Sequence, residues 1–435
     1  MTIEHRHGVV ILALIASFMV FVDGTIVNLT LAQLASQLDA SRSELEWAVN
    51  AYTLSFAAVM LGAGAITDTL GAKRAFVAGL LVFTASSAVC ALAGSMLMLD
   101  VARLVQGVGA ALLLPSALVL ATASATDEQA RHRLVGWWAA AGGVGMAAGP
   151  LLGGMLVALA NWRAVFGVNV VIGILAIAWS LRSMPVIARR PRRLDIAGMG
   201  AATVLIGGLV FTLIEAPAQG WSLGVITAAA LGVAGLVGFV NVERSTRAPL
   251  LPPGIYSDCR FISTAAQGAL FNFAFYGLLF AMSLMLQQGR GLSASVSGLL
   301  FLPLTGLISI GNLCATPLAQ RIGRPAVLGL GQAVLALLPV GFTSGVLVTT
   351  MTSQSLTAVG PALHGAASAV FNTSRQIGSA IGIATFGPLL GATHNLQGGF
   401  ITCMVVGSAA IVVALLLTAL TRSAVGPTSS GNLNV

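Results

Sequence analysis

The sequence predicts an all-α membrane protein, a bundle of about fourteen transmembrane helices. Hydrophobic residues fill 57% of the 435 positions, charged residues fill 8%, and the mean hydropathy is +0.94. A soluble domain carries roughly 25% charged residues, so lipid must be the solvent for most of this surface. Apolar runs long enough to cross a hydrocarbon core of ~30 Å recur to the end of the chain. The 51 glycines are typical of closely packed membrane helices.

The predicted spans follow one another with short polar connections. They are 8–33, 47–66, 75–93, 99–122, 134–158, 164–181, 196–214, 222–242, 261–285, 295–318, 326–338, 340–359, 366–390 and 400–420. The stretch between Arg324 and His364 is short for two helices of about 20 residues each. Either two short or tilted helices meet near Pro339, or part of an ancestral chain is missing.

Basic residues fix the predicted orientation, because cytoplasmic loops carry an excess of Lys and Arg. With a cytoplasmic N-terminus, sixteen basic residues fall in inner loops and three, Arg42, Arg163 and Arg290, in outer loops. Both termini are then cytoplasmic, which requires an even number of spans. The net charge of +8 does not indicate nucleic-acid binding, since the basic residues are scattered singly between apolar runs.

The chain divides into four predicted regions. These are a six-helix bundle (1–184), a basic cytoplasmic linker with two additional helices (185–250), a second bundle (251–421) and a disordered polar tail (422–435). The basic segment 182–193 is equally compatible with an ordinary inner loop. Four widely separated cysteines support neither a disulfide framework nor a metal site. No HExxH, GxSxG or GxxxxGK[ST] pattern is present, so neither an enzyme nor a cofactor is expected, and we expect a monomer.

Three sequence patterns stand out within and between the spans. The loop after the second span combines glycines, an acid and two cations, at Gly64, Asp68, Gly71, Lys73 and Arg74. A weaker echo at 319–324 follows the tenth span, and such self-similarity is typical of transporters built from repeats. The fifth span carries Gly145, Gly149, Pro150, Gly153 and Gly154. Their spacing predicts a bare groove for close helix packing and a bend at the proline, although a generic packing groove looks the same.

These patterns resemble the motifs of the major facilitator superfamily, above all its fourteen-span drug:proton antiporters. Further matching segments are Asp23-Gly-Thr-Ile-Val-Asn28, Arg103-Leu-Val-Gln106 and Asn372-Thr-Ser-Arg375-Gln376. The resemblance covers about residues 8–420, and the chain departs from it at Thr69 and Ala72, where basic residues are usual. It implies two six-helix bundles plus two central helices, and proton-driven export of small molecules across a bacterial cytoplasmic membrane. It also implies that the glycine motifs govern the conformational switch.

Ionisable residues inside membrane spans are costly and are candidates for function. Asp23 and Arg103 fall at a similar depth, where an ion pair is possible. Our hypothesis is that Asp23 exchanges a proton and that breaking the pair favours proton uptake; a static pair that fixes helix packing is the alternative. Arg375 has no acidic partner at its depth, so it either binds an anionic group or fastens helices together. Glu215 is expected to face water at a helix end, in the substrate cavity or as an interfacial carboxylate.

The resemblance also implies which residues line a substrate cavity. By analogy, the first, fourth, ninth and twelfth spans face it, which adds Asn28, Gln106, Phe271, Asn272, Phe275 and Tyr276 to Arg375, Gln376 and Glu215. Aromatic residues on a helix also commonly pack in a core or face lipid. An apolar cavity with few charges favours amphipathic drugs, including cationic ones. A dedicated exporter or uptake permease for one metabolite, or a non-transporting homologue, remains an alternative.

Overall fold

A computed structural model describes most of the chain. The described residues are 3–184, 195–246, 249–251, 253–256, 258–323, 326–328, 330, 332, 341–359, 364–392 and 395–424. The helices are α1 (Ile3–Ile26), α2 (Leu31–Gln37), α3 (Arg42–Leu70), α4 (Ala72–Ala91), α5 (Met96–Ala123), α6 (Glu128–Leu159), α7 (Arg163–Ser183), α8 (Ile196–Gln219), α9 (Leu223–Ser245), α10 (Pro253–Tyr256), α11 (Cys259–Leu284), α12 (Ala294–Leu300), α13 (Leu302–Ile322), α14 (Gly341–Thr357), α15 (His364–Gly391) and α16 (Leu396–Ala424). A 3-10 turn, Val27–Leu29, follows α1, and a π turn, Met285–Gly289, follows α11.

The all-α membrane architecture predicted from composition is confirmed. In the described part of the chain, 10 helical segments are long and apolar enough to cross a membrane. They correspond to α1, α3 to α9, α11 and α16, and α13, α14 and α15 pack beside them. Three predicted regions lie wholly or largely outside the described residues. They are the span 326–338, the linker 185–194 and the tail beyond residue 424.

Among the differences between predicted spans and observed helices, three have identifiable local reasons. The first span does not run unbroken to residue 33, because α1 ends at Ile26 and the chain makes a 3-10 turn before α2. The helix of the second span begins five residues before the predicted start at Trp47. Ser41 and Glu44 form a capping box there, which starts α3 at Arg42. The tenth is divided at Phe301, with a proline in the first turn of α13, a position that proline favours.

The helices pack in two groups with a hairpin against them. In the first group α1 packs on α5 and α6, and α5 packs on α3 and α4. In the second, α11 packs on α15 and α16, and α13 packs on α14. The groups meet where α3 packs on α15 and where α6 packs on α12 and α13. The hairpin of α8 and α9 joins them through α8, which contacts both α3 and α15.

The buried apolar side chains show that the two groups are closed together at one end. One cluster contains side chains of both groups, among them Phe166 and Phe386, and surrounds the connections near residues 38–41, 92–95 and 285–293. Two further clusters, around Phe76 and around Phe371, each belong to a single group. We call the end with the shared cluster the closed end. Its core is continuous, whereas the cores toward the opposite end are separate.

The weak sequence repeat has a matching backbone. Gly71 has φ 87° and ψ 138°, and Gly323 has φ 82° and ψ 144°. Both glycines donate to the carbonyl four residues earlier and accept from the amide four residues later. A positive φ is costly for residues with a Cβ atom, so glycine is required at both turns. The echo at 319–324 is therefore structural as well as sequential.

Candidate functional site

A buried polar cluster lies where α1, α5 and α7 meet. Asp23 of α1 and Arg103 of α5 form an ion pair, with side chains 0% and 1% exposed. The other carboxylate oxygen of Asp23 accepts hydrogen bonds from Gln106 Nε2 at 3.0 Å and from Asn169 Nδ2 at 2.7 Å. Both oxygens are therefore hydrogen-bonded, as a carboxylate buried in this environment requires.

The guanidinium of Arg103 connects the cluster to α3. Its Nε donates to the carbonyl of Ala48 at 3.0 Å, and its Cζ lies 4.4 Å from the centroid of the Tyr52 ring. Its Nη1 also donates to Gln106 Oε1 at 2.8 Å. Nη2 is buried and has no hydrogen-bond partner. A relative movement of α3 and α5 must therefore change the surroundings of the ion pair.

The sequence placed part of this cluster correctly. The structure brings Asp23 and Arg103 together, as the matching depth predicted. Gln106, predicted for a cavity wall, instead binds Asp23 and donates to Ser87 at 2.8 Å. Asn169 was missed because it carries no charge, although an amide in the middle of an apolar span is itself a signal.

The glycine groove of α6 is filled by α1. A Cβ atom on the groove glycines would collide with α1, so only glycine permits this approach. The distances from such a Cβ are 2.5 Å from Gly145 to the Phe18 carbonyl, 1.9 Å from Gly149 to the Thr25 hydroxyl and 2.8 Å from Gly153 to the Ile26 carbonyl. The Thr25 hydroxyl also donates to the carbonyl of Met146 at 3.1 Å. The segment of α1 that carries Asp23 thus lies directly on this motif.

The neighbouring face of α6 contacts the second group. A Cβ on Gly154 would lie 2.6 Å from the Ala294 carbonyl of α12. One on Gly298 would lie 2.7 Å from the Pro150 carbonyl. The motif therefore joins the Asp23 helix on one side to the opposite group on the other.

The motif loop between α3 and α4, which carries Gly71 and Lys73, holds the end of α7. Lys73 Nζ donates to the carbonyls of Met184 at 2.7 Å and Leu181 at 3.3 Å. Asp68 is half-buried, Arg74 is exposed, and a Cβ on Gly64 would meet nothing within 4 Å. Of the predicted motif residues, Gly71 and Lys73 have clear structural roles at this turn.

The predicted cavity residues of α11 and α15 lie together in the second group. Arg375 is 8% exposed, and its Nε donates to Asn272 Oδ1 at 3.4 Å. Within the described residues no carboxylate pairs with it, and the Phe371 ring lies 5.8 Å away. Phe275 stacks on Phe271 at 5.8 Å.

Tyr276 and Gln376 complete this region, whereas Asn28 lies elsewhere. Tyr276 meets Phe275 edge to face at 5.3 Å, and Gln376 is half-buried on α15. Asn28 is at the closed end, where its backbone carbonyl accepts a hydrogen bond from the Ser283 hydroxyl of α11. The predicted cavity residues therefore do not form one wall in this state.

The expectation that Glu215 faces water is wrong. Its carboxylate is 6% exposed and accepts hydrogen bonds from Trp47 Nε1 of α3 and from Gln219 Nε2, both at 2.7 Å. A second carboxyl, Glu46, lies near it and is 1% exposed. The sequence analysis did not select Glu46 as a candidate residue, because the predicted second span began at Trp47. The capping box places Glu46 inside α3.

Among the described residues, no group of three or more His, Cys, Asp or Glu side chains is placed to hold a metal ion. The buried carboxylates Asp23 and Glu215 take part in ion pairing and hydrogen bonding.

Comparison with known proteins agrees with this arrangement. The model of the Major Facilitator Superfamily matches residues 13–383. The chain is 34% identical to the methylenomycin A resistance protein of Bacillus subtilis, over 94% of this chain and 93% of that protein. It is 33% identical to the multidrug resistance protein Stp of Mycobacterium tuberculosis, over 86% of this chain and 74% of that protein. A solved POT family transporter in complex with 5-aminolevulinic acid shares the fold, with a TM-score of 0.69, 15% identity and coverage of 95% and 96%.

Proposed function

The chain belongs to the Major Facilitator Superfamily, and we propose that it exports small amphipathic drugs or toxic compounds in exchange for protons. The family match and the relatives make it a multi-pass membrane transporter and not an enzyme. Two relatives are named resistance proteins. Export supports resistance because it removes the compound from the cell, so export is the direction that we propose.

The observation that carries proton coupling is the ion pair of Asp23 and Arg103. While the pair is intact, the carboxylate is charged and receives two further hydrogen bonds. When helix movement separates the pair, a charged carboxylate without its cation is costly in this environment, and proton uptake removes that cost. Because Arg103 also donates to the carbonyl of Ala48 on α3, a rearrangement of α3 would change the position of Arg103 relative to Asp23.

Alternating access is supported by the closed end and by the glycine motif of α6. We propose that the motif lets α1 and α12 move against α6, which couples Asp23 to the packing of the two groups. From the distribution of basic residues we propose that both termini are cytoplasmic in the bacterial inner membrane and that the closed end faces outward. On this proposal the described state opens toward the cytoplasm.

The full architecture that we propose has fourteen spans in a monomer. The first bundle covers residues 1–184, the linker and two central helices cover 185–250, and the second bundle covers 251–421. The predicted span 326–338 falls between α13 and α14 in the chain and lies largely outside the described residues. Substrate contacts the aromatic and polar side chains of α11 and α15, which offer ring surfaces and hydrogen bonds to an amphipathic molecule.

The test is transport by purified protein in liposomes with an imposed pH gradient. Two probes are used, ethidium as an amphipathic dye and methylenomycin A, with wild type, Asp23→Asn and the control Asp39→Asn. Asp39 is an exposed carboxylate near the closed end with φ 49°, a conformation that asparagine tolerates. We expect gradient-driven movement toward the proton-rich side in wild type and Asp39→Asn, and its loss in Asp23→Asn.

The other outcomes separate the alternatives. Undiminished proton-coupled transport in Asp23→Asn removes Asp23 from the coupling mechanism. Movement of methylenomycin A alone favours a dedicated exporter, and movement in the opposite direction favours an uptake permease. Absence of transport of either probe, with or without a gradient, favours a non-transporting homologue.

A further inference from the structure

Glu46 is a carboxyl buried between the two helix groups. It lies on α3, is 1% exposed, and its Oε2 atom is buried without a hydrogen-bond partner. The packing on α15 is tight, because a Cβ built on Gly387 would lie 1.8 Å from Glu46 Oε1. Glu46 therefore faces the backbone of α15 rather than water or lipid headgroups.

The charges around Glu46 do not compensate a second anion. Arg42, on the same helix, donates to the Gly387 carbonyl at 3.2 Å. Glu215, from α8, accepts the hydrogen bonds of Trp47 and Gln219. At this point α15 presents the backbone of Gly387. The surroundings of Glu46 thus contain one cation, Arg42, and a further carboxyl group, Glu215. The hydrogen-bond donors Trp47 and Gln219 are used by Glu215.

Two further charged residues, Arg103 and Asp100, lie on α5, which also packs on α3. Arg103 forms the ion pair with Asp23 and donates to Ala48. Asp100 is an acid and adds no positive charge. A carboxylate buried with an unpartnered oxygen and without a committed cation is strongly disfavoured relative to the neutral acid.

We propose that Glu46 is a second proton-binding site of this transporter. Its carboxyl carries a proton while α3 packs on α15, and it releases that proton to entering water when the closed end opens. This site is separate from the Asp23 cluster, and it links proton occupancy to the interface between the two groups. The inference rests on the alternating access proposed above.

A neighbouring side chain gives independent support for an interface that opens. Asn50 lies one helical turn after Glu46, on the same face of α3. It is 0% exposed, and neither its Nδ2 nor its Oδ1 atom has a hydrogen-bond partner. Both groups lose water in the closed state and regain it when the interface opens. At Glu46 and Asn50 the closed interface therefore leaves polar groups unpartnered, and water would satisfy them if the interface opened.

The experiment measures the closed end directly and needs no transport substrate. The full-length chain, with its four cysteines replaced, carries spin labels at Ser43 on α3 and at Ala392 after α15. Label-to-label distances are recorded in lipid nanodiscs from about pH 5 to about pH 9, a range in which carboxyl groups titrate when burial disfavours their charged form. The variants are wild type, Glu46→Gln, Glu46→Asp, Asp23→Asn and the exposed control Asp39→Asn.

We expect the short-distance population of wild type to fall as the pH rises, by up to about tenfold per pH unit if one proton is released. Glu46→Gln should keep the short distance throughout, Glu46→Asp should still respond, and Asp39→Asn should follow wild type. Asp23→Asn should retain a response at this end. Infrared spectra should show a protonated carboxylic acid band that Glu46→Gln lacks, which tests the idea even if the variant packs poorly.

Two results overturn the inference. One is a pH response in Glu46→Gln equal to that of wild type. The other is a response abolished by Asp23→Asn alone. If the distances at the closed end do not change with pH while the protein transports dye against a gradient, the proton-binding role of Glu46 is refuted. The proposed function then stands. A pH response without transport refutes the proposed function instead.

Discussion

Replacing Arg103 by alanine should destabilise the protein by about 3–5 kcal/mol, the cost of leaving one member of a buried pair uncompensated. Asp23 would keep its hydrogen bonds from Gln106 and Asn169, at 3.0 and 2.7 Å, but would lose its cationic partner. The guanidinium contact with the Tyr52 ring would also be lost. The double variant Asp23→Asn/Arg103→Gln removes both charges and should recover most of the loss.

The assay is equilibrium unfolding in detergent micelles, followed by the fluorescence of the 6 tryptophans. The exposed Arg290 provides the matched control, and Arg290→Ala should change the free energy of unfolding by less than about 0.5 kcal/mol. A loss below about 1 kcal/mol, or a double variant as unstable as Arg103→Ala, would refute the view that the two charges form one energetic unit.

Two further predictions concern helix packing. Gly145→Ala should destabilise the protein by about 1–3 kcal/mol, because its Cβ would lie 2.5 Å from the Phe18 carbonyl, and backbone cannot easily give way. A Cβ on Gly136 in the same helix would meet nothing within 4 Å, so Gly136→Ala should be neutral or stabilising by up to about 1 kcal/mol. If the two variants change thermal unfolding equally, the close packing of α1 against the glycines of α6 does not contribute to stability. Asn50→Leu should stabilise the closed state by about 1–3 kcal/mol, because it removes an unpartnered buried amide; an increased long-distance population in the spin-label measurement would contradict this.

The sequence was sufficient for the class of protein and for its central ion pair. Charged residues are too few to face water, so lipid exposure follows from composition alone. Asp23 and Arg103 were predictable partners because charge inside a span must be compensated, and few partners exist at that depth. The residues that complete the cluster were harder to find, since Asn169 is neutral and its contact with Asp23 joins positions 146 residues apart.

Glu46 shows how the exact start of a helix changes which residues are candidates for function. A hydropathy window begins the second span at Trp47 and assigns Glu46 to a loop. The capping box of Ser41 and Glu44 starts the helix earlier, and α15 then covers the side chain. Glu215 shows the converse, because a helix end that looks water-facing is sealed by Trp47 of another helix.

The sequence by itself determined the lipid-exposed helices, the glycine turns and the presence of a bare face on α6, because solvent preference and backbone strain are properties of short segments. Only the tertiary structure decided that α1 fills that face, that Gln106 binds Asp23 rather than lining a cavity, and that α3 closes on α15 over Glu46. Those contacts join residues far apart in the chain. They depend on which helices pack together in one conformational state, and no local pattern encodes that choice.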